Sequence, residues 1–240
     1  MKVTLLEHSK VEDPWLVAAL PDMGNVAGLV VGHLNQQLET QLIGEILSYP
    51  SQITYTKGVL TEPRPYSFRA SPEDRVVIFT GTDHPAYPGE LHELCEGVVD
   101  VAVKLGARRI FSVGASFRGR VEGTPAVYGV VNRPELLQEL KGAGVAALRG
   151  EGAITGFNGL ILGVAGERGI DAVCLLGDID DPSVPQPRTA RAVLETLQKL
   201  TGIEADTARL EEQLKTLNRP MEAPLQRFGF TPTEGRPPGV

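Results

Sequence analysis

Three short stretches constrain this chain more than any other feature: residues 74–81 (DRVVIFTG), 108–115 (RRIFSVGA) and 170–178 (IDAVCLLGD). Each carries a run of apolar, mostly strand-favouring residues that is short for a buried helix, and each closes on glycine or a small residue. Successive side chains of a strand point to opposite faces, so a strand that is apolar at every position must be covered on both sides. Between the first two runs lies GELHELCEGVVDVAVKLGA, in which Leu91, Leu94, Cys95, Val98, Val101, Ala102 and Leu105 recur at helical spacing and Gly106 is placed to end the helix. Strand, helix and strand in that order predict a three-layer α/β/α fold with a mostly parallel or mixed sheet.

The rest of the chain continues the alternation. Residues 15–20 (WLVAAL) read as a buried strand stopped by Pro21, and 25–38 as a helix with Val26, Leu29, Val30, His33 and Leu34 on one stripe. Residues 41–49, 64–70 and 124–131 read as further strands. Residues 133–144 form a short helix with Pro134 in its first turn, and 189–202 and 206–217 two closing helices with Thr189 and Asp206 as N-caps. From Arg219 the sequence is rich in proline and glycine and has no period. The expected organisation is therefore a single α/β domain over 1–218 and an extended tail over 219–240.

Composition excludes several function classes. A formal net charge of -7 argues against a general nucleic-acid binder, which needs a basic stripe. Neither of the two cysteines, Cys95 and Cys174, belongs to a CxxC pair, and the four histidines show no zinc spacing, so no metal is expected. Both cysteines sit in apolar surroundings and read as small buried hydrophobes. Residues 1–15 lack the apolar centre of a secretory leader, and no run is long enough to span a bilayer. The expectation is a cytoplasmic protein without membrane contact. Aromatic residues are 5% of the chain, so the core must come mainly from Val, Leu, Ile and Ala.

In open α/β sheets ligands gather beyond the carboxyl ends of the strands. If the ends of the predicted strands share one edge, Asp22, Asn25, Thr82, Asp83, His84, Ser116, Asp178 and Asp180 face a common crevice. The turn PDMGNVAG (21–28) has two readings. Its helix N-terminus can bind an anion, or Gly24 makes the turn, Asn25 caps the helix and Gly28 allows close packing on the sheet. The phosphate-loop patterns GxxxxGK[ST] and GxGxxG are both absent. Asp83 beside His84 has the residue types of a general base, although neighbours in an extended loop point apart. GxSxG is absent, so no nucleophile elbow is expected. Residues 177–182 (GDIDDP) suggest either a Mg²⁺ loop or an exposed acidic turn. Arg118 and Arg120 suit either an anion clamp or a solvated loop. Residues 154–163 (ITGFNGLILG) raise the same choice as the first turn, between a backbone cradle and a packed turn running into a helix. The candidate ligand-binding residues are Asp22, Asn25, Thr82, Asp83, His84 and Asn158. No catalytic set is complete and no cofactor is expected.

The order of motifs carries a resemblance. MGNVAG (23–28), TGTDHP (80–85), RRIFSVGAS (108–116), GAITGFNGLILGVAGERGIDAVCLLGD (152–178) and TARAVLETLQKLTGIEADTARLEEQ (189–213) follow one another as in the proteasome assembly chaperone 2 family, which this chain resembles. The resemblance covers most of the chain and leaves the tail outside. It implies an α/β/α fold similar to that of nucleoside phosphorylases, a non-enzymatic protein-binding or assembly-chaperone role, homo-oligomers, and proteasome-like subunits as possible clients. Some archaeal relatives dock on the proteasome through a C-terminal hydrophobic–tyrosine–any-residue ending. The sequence here ends Pro238-Gly239-Val240, so docking by that route is not expected. The alternative is a nucleotide- or carboxylate-binding protein or enzyme that uses the crevice at the strand ends. For ITGFNG the resemblance favours a packed turn: Gly156 and Gly159 let the backbone approach neighbouring strands, Asn158 bonds a loop or caps the helix, and Leu160, Ile161 and Val164 face the core.

Overall fold

The computed structural model describes residues 1–6, 11–48, 55–60, 65–148, 150–207 and 210. In chain order the elements are β1 (Lys2–Leu5), β2 (Trp15–Ala19), α1 (Val26–Gln37), β3 (Gln41–Leu47), β4 (Tyr55–Thr56), β5 (Val59–Leu60), β6 (Tyr66–Ser71), β7 (Val76–Thr80), α2 (Pro88–Lys104), β8 (Arg109–Phe117), β9 (Val127–Val131), α3 (Leu136–Gly142), β10 (Ala146–Ala147), α4 (Gly156–Glu167), β11 (Ala172–Ile179) and α5 (Pro187–Thr201). Nine strands form one sheet in the order β1-β3-β6-β7-β2-β8-β11-β9-β10, and β4 and β5 pair apart as a hairpin.

The centre of the sheet is parallel: β7, β2, β8 and β11 run side by side in one direction. On one flank β6, β3 and β1 add antiparallel, and on the other β9 joins β11 antiparallel before β10 returns parallel to β9. The sheet is thus mixed, with its parallel part where the apolar runs of the sequence lie.

Alternation within those runs divides the core. Leu16, Ala18, Val77, Phe79 and Ile110 pack on one face with α2 and α4. Val17, Ala19, Val76, Ile78, Phe111 and Val113 pack on the other with α1, α3 and α5. Both sides of the central strands are buried, which is why these segments contain almost no polar residue. The few aromatics are concentrated rather than spread. Phe79 stacks on Tyr66 and Phe157 at 6.0 and 5.7 Å and touches Phe68 at 4.9 Å. Phe68, Phe79, Phe111 and Phe157 are all fully buried, each contributing roughly 2–3 kcal/mol relative to exposure. Both cysteines are buried, and burial alone pushes the Cys95 thiol up to about 12; burial pushes Cys174 up to about 11.

Three features depart from the sequence expectations. The segment Lys2–Leu5 is an edge strand, legible only through its partner β3, because KVTL has no distinctive pattern. Strand β10 is two alanines held by α3 packing over Gly129, where Leu140 and Val145 occupy the space of a side chain. Thr189 is not an N-cap: α5 begins at Pro187 after Gln186, and the Thr189 hydroxyl donates to the Asp178 carbonyl at 2.6 Å. The closing helix read over 206–217 and the tail from Arg219 lie outside the described residues, apart from Asp206, Thr207 and Leu210. Gly106 ends α2 as expected, with φ +65°.

Candidate functional site

A cleft of about 1360 Å³ opens at the carboxyl edge of the central strands. Its walls come from the turn after β2 (Leu20 to Met23), the end of β8 (Ala115, Ser116), strand β9, the segment from Leu148 to Thr155 and the first turns of α4. His84, from the loop after β7, completes the rim. Parallel strands that end together leave this edge bare, and the loops that follow them wall it in.

The ITGFNG segment is the N-terminus of α4 and part of this wall. Gly159 is required by a close approach: a methyl there would lie 2.8 Å from the Ile154 carbonyl carbon and nearer still to its oxygen. The backbone it admits is that of its own preceding loop, not of a strand. Gly156 has φ +70° and open space around it, so its role is conformational. Asn158 neither caps the helix nor bonds a loop through its side chain. Its carboxamide lies over Gly114 of β8, in the space where a β-carbon would sit, and its Oδ1 is buried without a hydrogen-bond partner. Ile161 and Val164 are buried and Leu160 packs partly against the same core, as the reading of ITGFNG as a packed turn expects.

The first turn repeats the device with different residues. Gly24 has φ +64° and is pinned by bonds to both sides of the loop after β11, its N–H donating to Pro182 and its carbonyl accepting from Gln186. Asn25 sits in the left-handed region with its side chain folded against Gly28 and caps nothing. Gly28 therefore makes room for Asn25 rather than for the sheet. The capping oxygen belongs to Asp22, whose Oδ1 accepts the Ala27 N–H at 2.9 Å. Its Oδ2 is buried with no partner. Burial drives the Asp22 carboxyl up to about 7, against the opposing pull of the backbone N–H groups around it.

Of the six candidate residues, the structure gathers Asp22, His84 and Asn158 around the cleft and leaves Asn25, Thr82 and Asp83 off its walls. Asp83 and His84 point apart: Thr82 donates to Asp83 at 2.7 Å, while His84 Nε2 meets the Pro21 carbonyl at 2.5 Å. Ser116 lines the cleft, but Asp178 and Asp180 do not. Asp178 is buried beside Tyr128, with Arg118 3.7 Å away and stacked on the tyrosine ring. Arg120 pairs with the exposed Glu122. Neither arginine reaches the cleft. Asp181 accepts bonds from the Ser183 N–H and hydroxyl, which lower its pKa, so GDIDDP is half strand, through Ile179 of β11, and half an acidic turn tied to Ser183.

Sequence reasoning missed the segment before α4. Leu148, Gly150, Glu151, Gly152 and Ala153 form a whole wall of the cleft. The signal was the glycine density of RGEGAITGFNG. Among the described lining residues the charged side chains are Asp22 and Glu151, with His84 beside them and no lysine or arginine. Arg149, between two lining residues in sequence, lies outside the described residues. The remaining lining is mainly apolar, with Leu20, Val130, Ile154, Leu162 and Leu176 prominent. Such a surface suits an apolar ligand carrying hydrogen-bonding groups better than a multiply charged anion.

The chain is a mixed α/β/α sheet with a mainly apolar cleft at its strand ends, and comparison with known proteins gives its family. The PAC2 family model matches residues 16–223, and the chain belongs to that family. It is similar to Pyrococcus furiosus PbaB, described as an archaeal proteasome activator, with 27% identity and a TM-score of 0.76 over 90% of this chain and 95% of that one. Pyrococcus furiosus PbaA, described as an archaeal homolog of proteasome-assembly chaperone, shares 26% identity and a TM-score of 0.75 over 90% and 93% of the two chains. An uncharacterized protein of Methanocaldococcus jannaschii is 28% identical over 216 residues, covering 88% of this chain and 83% of its own. No helix among the described residues is long and apolar enough to cross a membrane.

Proposed function

We propose that this chain is an assembly-chaperone-like protein-binding module that works as a homo-oligomer and engages proteasome-like subunits. The observation that carries the reading is its likeness, along nine-tenths of its length, to two proteins described by their roles toward the proteasome. Surface chemistry supports it. The β4–β5 hairpin pairs Tyr55 with Leu60, which puts both on one face, and they are 76% and 55% exposed. A two-stranded hairpin is marginal by itself, and apolar side chains left in water mark surfaces that other proteins cover. Around the carboxyl edge of the sheet, Met23, Tyr87, Phe117 and Val184 are also exposed.

Native mass spectrometry tests this reading directly. The purified full chain is expected as one discrete oligomer, and mixing it with proteasome α-subunits is expected to give a complex of defined stoichiometry. A strict monomer at micromolar concentration that ignores those subunits sinks the proposal. The cleft favours a second reading, a small-molecule binder or enzyme. A metabolite retained in the same spectrum, and lost in folded Asp22→Asn and Asn158→Ala variants, would move the weight there.

A further inference from the structure

Among the described residues, strand β10 is the last strand of the sheet and pairs only with β9, so one row of its main-chain groups has no described strand beside it. Close behind it in sequence, Leu148 and residues 150–153 line the cleft. The backbone groups of Gly150, Glu151, Gly152 and Ala153 bond no other backbone group among the described residues, and all four residues are exposed. An unpaired edge that continues as an unpaired, exposed wall is a template for another extended chain. The first residues of α4 line the same cleft, and the helix's first N–H groups have no intrahelical partner and no side-chain cap. Asp22 Oδ2 and Asn158 Oδ1 are acceptors that no protein group satisfies, and each such orphan costs roughly 1–3 kcal/mol. A peptide backbone offers donors and acceptors together, and both orphan oxygens belong to residues that line the cleft. The side chains between these groups are apolar, and the charged ones among the described lining residues are carboxylates.

We propose that the cleft and the β10 edge form a peptide groove that takes an extended segment of the partner protein, with apolar side chains turned into the cleft and basic ones turned toward Glu151. The proposal rests on the protein-binding reading above and adds where the partner is held and what its chemistry is. An extended chain alternates its side chains, so the fitting pattern is apolar-basic-apolar-basic-apolar.

The test uses the full-length protein and three end-capped, fluorescein-labelled peptides. They are Leu-Arg-Phe-Lys-Val, its acidic counterpart Leu-Glu-Phe-Glu-Val, and the basic peptide N-methylated at alternate residues, which keeps its side chains but cannot pair along its backbone. Fluorescence anisotropy is expected to show saturable binding of the first and at least tenfold weaker binding of the other two. Glu151→Lys, at an exposed position, is expected to weaken the basic peptide about tenfold. Glu204→Lys, outside the cleft, makes the same charge change and is expected to leave binding unaltered. Hydrogen exchange at 150–153 is expected to slow when the basic peptide binds. Binding that ignores peptide charge, binding that survives N-methylation, or no binding at all overturns the groove. The mass spectrum separates this failure from that of the parent reading: an intact oligomer or proteasome-subunit complex beside a cleft that ignores all three peptides removes the groove alone.

Discussion

The same substitution at two glycines of α4 should have opposite effects. Gly159 and Gly163 both lie in the helix, and neither has a positive φ. Replacing a helical glycine by alanine gains up to about 1 kcal/mol in propensity. At Gly163 nothing lies within 4 Å of the added carbon, so Gly163→Ala should stabilise by roughly that amount. At Gly159 the added carbon meets the main chain of Ile154, with the carbonyl carbon at 2.8 Å and the Ile154 β-carbon at 3.2 Å. A backbone cannot swing aside as a side-chain tip can. Overpacking costs about 1–3 kcal/mol or more, which exceeds the propensity gain, so Gly159→Ala should destabilise by roughly 1–2 kcal/mol. The two variants should therefore differ by about 2–3 kcal/mol, or somewhere near 5–10 °C in melting temperature for a domain of this size. Urea titrations followed by circular dichroism, at one protein concentration, read the difference as a shift in midpoint at constant slope. If Gly159→Ala is as stable as Gly163→Ala, the close approach of loop and helix is not what fixes glycine in this motif, and the account of ITGFNG fails.

Two further predictions concern titration. The Asp22 carboxyl is near 3.8 when unfolded and about 7 in the fold, so between those values the folded state holds the proton that the unfolded state has released. Its contribution to stability is complete below the lower value and is lost as pH rises toward 7, on the order of 4 kcal/mol at most. Urea midpoints at pH 5 and pH 8 should show the larger part of that loss, and Asp22→Asn should flatten it; a profile unchanged by the substitution would falsify the assignment. Both thiols are held well above neutrality by burial, so a thiol reagent at pH 8 should label neither Cys95 nor Cys174 until the protein unfolds. Rapid labelling of the native protein would contradict the packing described for β11 and α2.

The candidate site was partly legible. Asp22 and His84 stand out because polar residues after apolar strands have one place to go in a parallel sheet, the carboxyl edge, and Asn158 stands out as the polar residue of the glycine-rich ITGFNG turn. Asn25, Thr82 and Asp83 carried the same signal and lie off the cleft walls. Which way a loop residue faces is set by its partners, here Gly28 for Asn25 and the Thr82–Asp83 bond for the other two. The wall from Leu148 to Ala153 was missed because it has no period and no reactive residue, only glycines and unpaired backbone.

The sequence by itself determined the class of the molecule. Runs apolar on both strand faces can be stable only between two helical layers, so VVIFT, RIFSV and AVCLL required the three-layer sheet whatever the loops did. It also determined the punctuation, since Gly106 and the prolines at 88 and 187 act through their own backbones. Tertiary structure decided the antiparallel flanks, the pairing of Lys2–Leu5 with β3 and of β10 with β9, and the identity of the cap on α1. Those outcomes depend on what lies beside a residue rather than on what it is. A short strand gains its hydrogen bonds only from a neighbour, and Asp22 holds the Ala27 N–H while Asn25, directly before the helix, is folded against Gly28. The cleft arises at the same level: it is the space at the ends of the parallel strands that the turns after β2 and β7 and the segment before α4 wall in.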